Sequence, residues 1–249
     1  MQLPRRAAMA VLLLLVLVAS AAQAHLVARS ASALQPGVVR RPLGARCAAV
    51  LEGAPSSTAA ERAAVAAEID PGEVAGLRVL KYPHQLLRAP NEEVAAFDAE
   101  LAELSRRMFR LMYASKGVGL AAPQVGINKR LLVFNPEGDE KAFRTEVVMV
   151  NPKIVARSEG TELDDEGCLS FPGFGAQVVR AKWVKVKAFN LKGNPFNKKY
   201  TGWDARIFQH EYDHLDGTLY VDRLTDEERQ IVQTDLDRLV ALHGPGGAV

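Results

Sequence analysis

Acidic residues are missing from the first fifty positions, which carry six arginines instead. The remainder is slightly acidic, so the net charge is only +2 over 249 residues. That balance makes no case for a nucleic-acid or membrane-surface partner. Cysteine is scarce too: Cys47 and Cys168 are the only two, which excludes a disulfide-stapled scaffold. Cys47 lies in the basic segment and Cys168 deep in the chain, so a bond between them is not expected. Taken alone, Cys168 reads as a small buried apolar residue. Long apolar runs are also lacking. The one candidate, residues 7–19 (AAMAVLLLLVLVA), is too short to span a bilayer comfortably. No internal repeat is visible.

What is present at the N-terminus is a leader in two parts. In residues 1–24, Arg5 and Arg6 precede the apolar run, and Ala22-Gln23-Ala24 offers a small-residue cleavage site, as in a secretory signal. The next residues, HLVARSASALQPGVVRRPLGARCAAV, are rich in Ala, Ser and Arg, like an organelle transit peptide. Together they resemble the bipartite leaders of algae whose plastids lie behind extra membranes; the plainer alternative is a secreted protein with a disordered tail. The transit-like segment and a linker fill residues 25–73, and the folded domain is expected over 74–244.

Within that domain an extended arm (77–90) is followed by a helix over 91–117, with apolar residues at three- and four-residue spacing and Gly117 as its stop. Short β-like runs follow at 130–134, 147–150 and 178–179, then a hairpin of 182–189 with 196–201. A helix carries ARIFQHEYDHLDG. The last helix opens on a Thr225-x-x-Glu228 capping box and ends at Gly244. The expected fold is α+β: antiparallel strands packed around a central His-Glu-x-x-His helix, with one helix before it and one at the C-terminus.

That central helix carries the chemistry. His210 and His214 are four apart, which puts both imidazoles on one face, one turn apart, where they can share a metal. Glu211 sits beside the first, placed to reach a water at that metal. A zinc-peptidase helix needs a third ligand downstream, but HLDGTLYVDRL follows and no histidine recurs before His243. Glu227 and Glu228 are poor candidates. Cys168, in DDEGCLSFPG, is a better one, since a thiolate suits zinc or ferrous iron.

Three segments taken together, GVGLAAPQVG (117–126), EGCLSFPG (166–173) and QHEYDHLDG (209–217), resemble the motifs of peptide deformylase, in its plastid-type branch. The likeness runs over residues 77–242. It implies a metallohydrolase that removes the formyl group from the N-terminal formyl-methionine of nascent chains. Cys168, His210 and His214 would hold one divalent metal, and Glu211 would move the proton. The Gln124 amide and the Leu169 N–H would meet the charge on the formyl oxygen. Gly117, Gly119 and Gly167 would lie along the peptide backbone, and Val118, Leu120, Phe171 and His210 would surround the methionine side chain. The family commonly works with Fe(II), so iron is the expected metal; Zn(II) is the alternative, with the higher intrinsic affinity.

Formyl-methionine is a product of bacterial-type ribosomes. The leader is therefore expected to deliver the enzyme to the plastid stroma, with the mitochondrion as the alternative. Transient proximity to an organellar ribosome is expected, without direct nucleic-acid contact or membrane embedding. Two rivals remain: another metallohydrolase, such as a peptidase or acyl-lysine deacylase, and a non-catalytic metal-binding or ribosome-associated module. One departure is noted. Many relatives carry a bulkier side chain at the position matching Gly175.

Overall fold

The computed structural model describes residues 70–244. The leader, Cys47 and almost all of the expected linker therefore lie outside the described residues. Among the described residues, no helix is long and apolar enough to cross a membrane.

Among the described residues are three α-helices and seven strands: α1 (Ala99–Ala114), β1 (Gly119–Ala121), β2 (Leu131–Phe134), β3 (Val147–Arg157), β4 (Thr161–Cys168), β5 (Phe171–Ala181), β6 (Trp183–Phe189), β7 (Pro195–Thr201), α2 (Gly202–Leu215) and α3 (Asp226–His243). Strands β1-β2-β3-β6-β7 make one sheet in that order, and β4-β5 is a separate two-stranded ribbon. Each of the seven strands pairs with its neighbours antiparallel. The α+β expectation holds.

Strand β2 shows why its sequence, LLVF, does not alternate. Leu131 and Val133 pack into a cluster with Met108, Leu111 and Met112 of α1. Leu132 and Phe134 point the other way, into a cluster with Ile207 and Phe208 of α2. A strand covered on both faces has no solvent side and reads as a continuous apolar run. A third cluster joins β5 to α3 through Phe171, Phe174, Val178, Leu236 and Leu239. The central helix α2 is thereby wedged between the large sheet and the ribbon.

Some expectations are corrected. Helix α1 begins at Ala99, not 91, because the Asp98 carboxylate accepts the Leu101 N–H at 2.9 Å and caps the helix there. Upstream residues are committed elsewhere: the Val94 N–H donates to the Asn151 side chain at 2.8 Å, and Phe97 packs on Phe189. At the other end Lys116, not Gly117, takes the left-handed conformation (φ 56°). The Gly117 N–H then closes on the Met112 carbonyl at 2.8 Å and the Lys116 N–H on Tyr113 at 2.9 Å, a Schellman ending.

The run at 178–179 proves to be part of the eleven-residue β5. Its partner β4, TELDDEGC, was not expected as a strand, because four acids in eight residues argue against one. Only half of the capping box forms. Thr225 accepts the Glu228 N–H at 3.3 Å, while the Glu228 carboxylate accepts the Gln177 N–H of β5 instead.

Candidate metal centre

Cys168 is the last residue of β4 and pairs with Phe171 across the two-residue turn Leu169-Ser170. That turn aims the thiol at α2, where Sγ lies 3.4 Å from His214 Nε2. The two imidazole rings, one helical turn apart, have centroids 5.2 Å from each other. One donor atom from each of Cys168, His210 and His214 falls within 4.8 Å of the other two. The donor set of one thiol and two imidazoles is that of a tetrahedral site with a fourth position open. A second observation agrees with a cation there: Glu211 Oε2 is buried and has no hydrogen-bond partner among the described residues, a cost that a bound group would remove. The residues fit a metal.

Sequence reasoning missed what holds His210. Glu166, two residues before Cys168 on β4, accepts from His210 Nδ1 at 2.9 Å. It also accepts both Nε and Nη2 of Arg180 at 2.8 Å, and Nη1 of Arg206 at 2.8 Å. Burial opposes its ionisation, yet the Arg180 hydrogen bonds and charge prevail, with His210 adding to them, and hold the Glu166 carboxyl far below the usual range. An ionised Glu166 fixes the hydrogen of His210 on Nδ1 and leaves Nε2 free to ligate. Asp213 extends the web, accepting from both Arg180 and Arg223. Burial, then the neighbouring His210, keeps His214 neutral by lowering its pKa, which is the form a metal requires. Glu166 and Asp213 stood inside the quoted motifs; nothing in the sequence marked Arg180 as their partner.

Glu211 is buried, and desolvation raises its carboxyl pKa to about 7. A cleft of about 520 Å³ opens in front of it, lined by Val118, Gly119, Leu169, Trp203 and Ile207 together with His210. Gln124, Gly167 and Cys168 also face it. The Gln124 amide cannot flip: Oε1 accepts the Ala121 N–H at 2.8 Å, which turns Nε2 toward Cys168 Sγ at 3.5 Å and Ser170 Oγ at 3.4 Å.

Two expected pocket residues are elsewhere. Leu120 is fully buried against α1, because its side chain alternates away from Gly119. Phe171 is fully buried as well, stacked on Tyr82 with Tyr220 edge-on. Trp203, Ile207 and Arg206 line the cleft in their place. Their signal was available: all three lie on α2, within two turns of His210.

The glycines have separable reasons. A Cβ on Gly117 would meet the flexible tip of Leu169, at 2.8 Å from Cδ1, and the Met112 carbonyl oxygen at 3.3 Å. On Gly175, which pairs with Gly167, it would lie 2.6 Å from the Glu166 carbonyl oxygen. The bare position in this chain therefore matches a close backbone approach. On Gly119 it would lie 2.3 Å from Glu211 Oε1 and 2.8 Å from Cγ and Cδ. Gly119→Ala is expected to push the carboxylate aside and, since a displacement near 1 Å can cost ~100-fold, to lower turnover by about that factor with metal content unchanged. Turnover and metal analysis on the same sample check it; parental turnover would show that Glu211 has room to move.

The profile of the Polypeptide deformylase family matches residues 77–230 of this chain. The chain is 47% identical over 163 residues to peptide deformylase 1B, chloroplastic/mitochondrial, of Arabidopsis thaliana, covering 66% of this chain and 59% of that protein. It is 40% identical over 162 residues to the peptide deformylase of Aquifex aeolicus, covering 65% and 95%. Among solved structures it resembles a plant peptide deformylase with a TM-score of 0.66 at 44% identity, over 70% of this chain and 94% of that one. The Plasmodium falciparum peptide deformylase gives 0.66 at 40% identity, over 67% and 96%. The chain spans about three fifths of the length of the plant relatives.

Proposed function

The chain belongs to the polypeptide deformylase family, and from that premise we propose that it hydrolyses the formyl group from the N-terminal formyl-methionine of nascent polypeptides. One observation carries the reading. Three ligands of two types, from two distant motifs, converge within 4.8 Å, beside a buried carboxylate with an oxygen unpartnered among the described residues.

Cys168, His210 and His214 are the proposed ligands. A divalent cation held by them supplies a Lewis acid and lowers the pKa of water from ~15.7 toward ~7. Glu211 accepts the proton of the attacking water and returns it to the departing amine; the formyl C–N bond breaks, giving formate and a free N-terminus. Burial, which raises the Glu211 carboxyl pKa, favours its holding the proton between the two halves of that exchange. Gln124 Nε2, held by the Ala121 contact, and the Leu169 N–H donate to the developing oxyanion.

Among the described residues, strand β1 pairs only with β2 and is an edge of its sheet. An extended peptide can add alongside Gly119 there, with Gly167 facing it across the cleft. The methionine side chain then enters among Val118, Leu169, Trp203 and Ile207, with His210 at its end. A lone edge strand beside the metal favours a chain terminus over the middle of a folded substrate.

Fe(II) is the proposed working metal, following the family resemblance and the soft thiolate ligand. The plant relatives from Arabidopsis thaliana, rice and tomato are named as chloroplastic, the first also as mitochondrial, which supports an organellar site of action. The Ala/Ser/Arg-rich N-terminal sequence supports the plastid stroma, near an organellar ribosome.

The test loads the protein with Fe(II) without oxygen and follows formate release from a formyl-Met tripeptide, with the unformylated peptide and Zn(II) loading alongside. Formate release with Fe(II) and no cleavage of the free peptide is the expected result. Cleavage of the unformylated peptide would favour a peptidase. No reaction from protein shown to contain metal would favour the binding module.

A further inference from the structure

The near-neutral net charge conceals a concentrated basic face. Between Glu166 and Asp204 there is no acidic residue, while Arg180 and six lysines occur there. Four exposed lysines stand on one side of three neighbouring strands: Lys153 on β3, Lys185 and Lys187 on β6, and Lys199 on β7. They are paired directly across the strands, Lys153 with Lys187 and Lys185 with Lys199. Intervening residues Val184, Val186 and Ala188 point to the opposite face, into the cluster with α2.

We propose that this outer face of β3, β6 and β7 is a docking surface for RNA. Like charges set directly opposite in a ladder repel, and Lys185 and Lys187 make no hydrogen bond or ion pair among the described residues. Only Lys153 has an acid, Glu93 at 2.9 Å. Strand geometry spaces the charges by roughly 5 Å across and ~7 Å along the sheet, a density that calls for a partner with closely repeated negative charge. Aromatic rings lie among them. Lys199 Nζ sits 4.3 Å from the centroid of Trp183, and Phe189 is 36% exposed. Between them Lys187 and Phe189 border a surface groove of about 690 Å³.

Lysines interleaved with aromatic faces on an open sheet suit a phosphodiester chain whose bases can stack. An acidic peptide or an anionic lipid surface would use the charges alone and leave the rings between them without a role. RNA held there leaves the cleft open, since the cleft lies on the other side of the sheet, beside α2. The proposal does not depend on the reaction assigned above.

The test measures fluorescence anisotropy of an end-labelled 20-nucleotide uridine-rich RNA with the full chain at 50–200 mM KCl. The parent is compared with Lys185→Gln/Lys187→Gln/Lys199→Gln. The N-terminal arginines are common to both, so the difference reports the face. The variant is expected to bind at least 10-fold more weakly at low salt. Its slope of log affinity against log salt should be shallower by about 2, near 0.7 per lysine lost, with metal content and formyl-peptide turnover unchanged. If the triple variant does not fold, Lys187→Gln alone is expected to reduce the slope by ~0.7. Undiminished binding by a folded variant overturns the proposal, as does a parent that does not bind RNA. Equal or tighter binding of the parent to phosphatidylserine vesicles or a poly-glutamate peptide at the same salt also overturns it.

Discussion

Glu211→Gln is expected to lower kcat/KM on a formyl-Met peptide by ~10²–10⁴-fold, the usual worth of a positioned general base. The substitution keeps the size and burial of the side chain and leaves Cys168, His210 and His214 untouched, so metal content should match the parent. It replaces the carboxylate, which can take a proton, by an amide, which cannot at neutral pH. Gly119 allows either side chain the same space, because its missing Cβ is what makes room for the Glu211 carboxylate. Metal analysis beside the kinetics separates the outcomes. Equal activity with equal metal would remove Glu211 from the reaction, and loss of metal would mean that it acts on the ligands instead.

The largest stability effect is expected at Arg180. Its guanidinium is buried between Glu166 and Asp213, whose side chains are 4% and 7% exposed. Arg180→Met keeps much of the volume and removes the charge, leaving Glu166 with Arg206 and His210 and Asp213 with Arg223. Breaking a buried pair from one side costs ~3–5 kcal/mol. For a domain of this size that corresponds to a Tm lower by roughly 6–20 °C. Glu166 would also lose two of its four hydrogen-bond donors, so the His210 ring should be held less firmly and metal affinity should fall. Second-contact losses of this sort cost about 10–100-fold. Thermal melting and a metal-competition titration read the two effects separately. A Tm within ~2 °C of the parent would show that Arg206 and Arg223 compensate fully.

How legible the molecule was differed from residue to residue. His210 and His214 were readable because a helix converts a spacing of four into a shared face. Gly217 and Thr225 marked helix ends through local backbone chemistry, and both do so in the structure. The start of α1 was misplaced because apolar periodicity extends back past Asp98, and only the cap decides where the helix begins. Strand β4 was missed because its acids suit a loop better than a strand. Its backbone is recruited by β5, and two of its acids, Asp164 and Glu166, face Arg206.

By itself, then, the sequence determined which residues could ligate a metal, which could move a proton, where the later helices stop and that a run of strands lies between a first helix and the helix carrying His210 and His214. These follow from short-range rules in which each residue answers to neighbours three or four positions away. Tertiary structure alone decided that Cys168 reaches His214 across forty-six residues, that Leu120 and Phe171 turn into the core, and that Glu166 is held ionised by Arg180. It also decided that four lysines from three strands share one face. Each of these depends on strand register, and a shift of one residue would send every side chain of β4 or β6 to the opposite side.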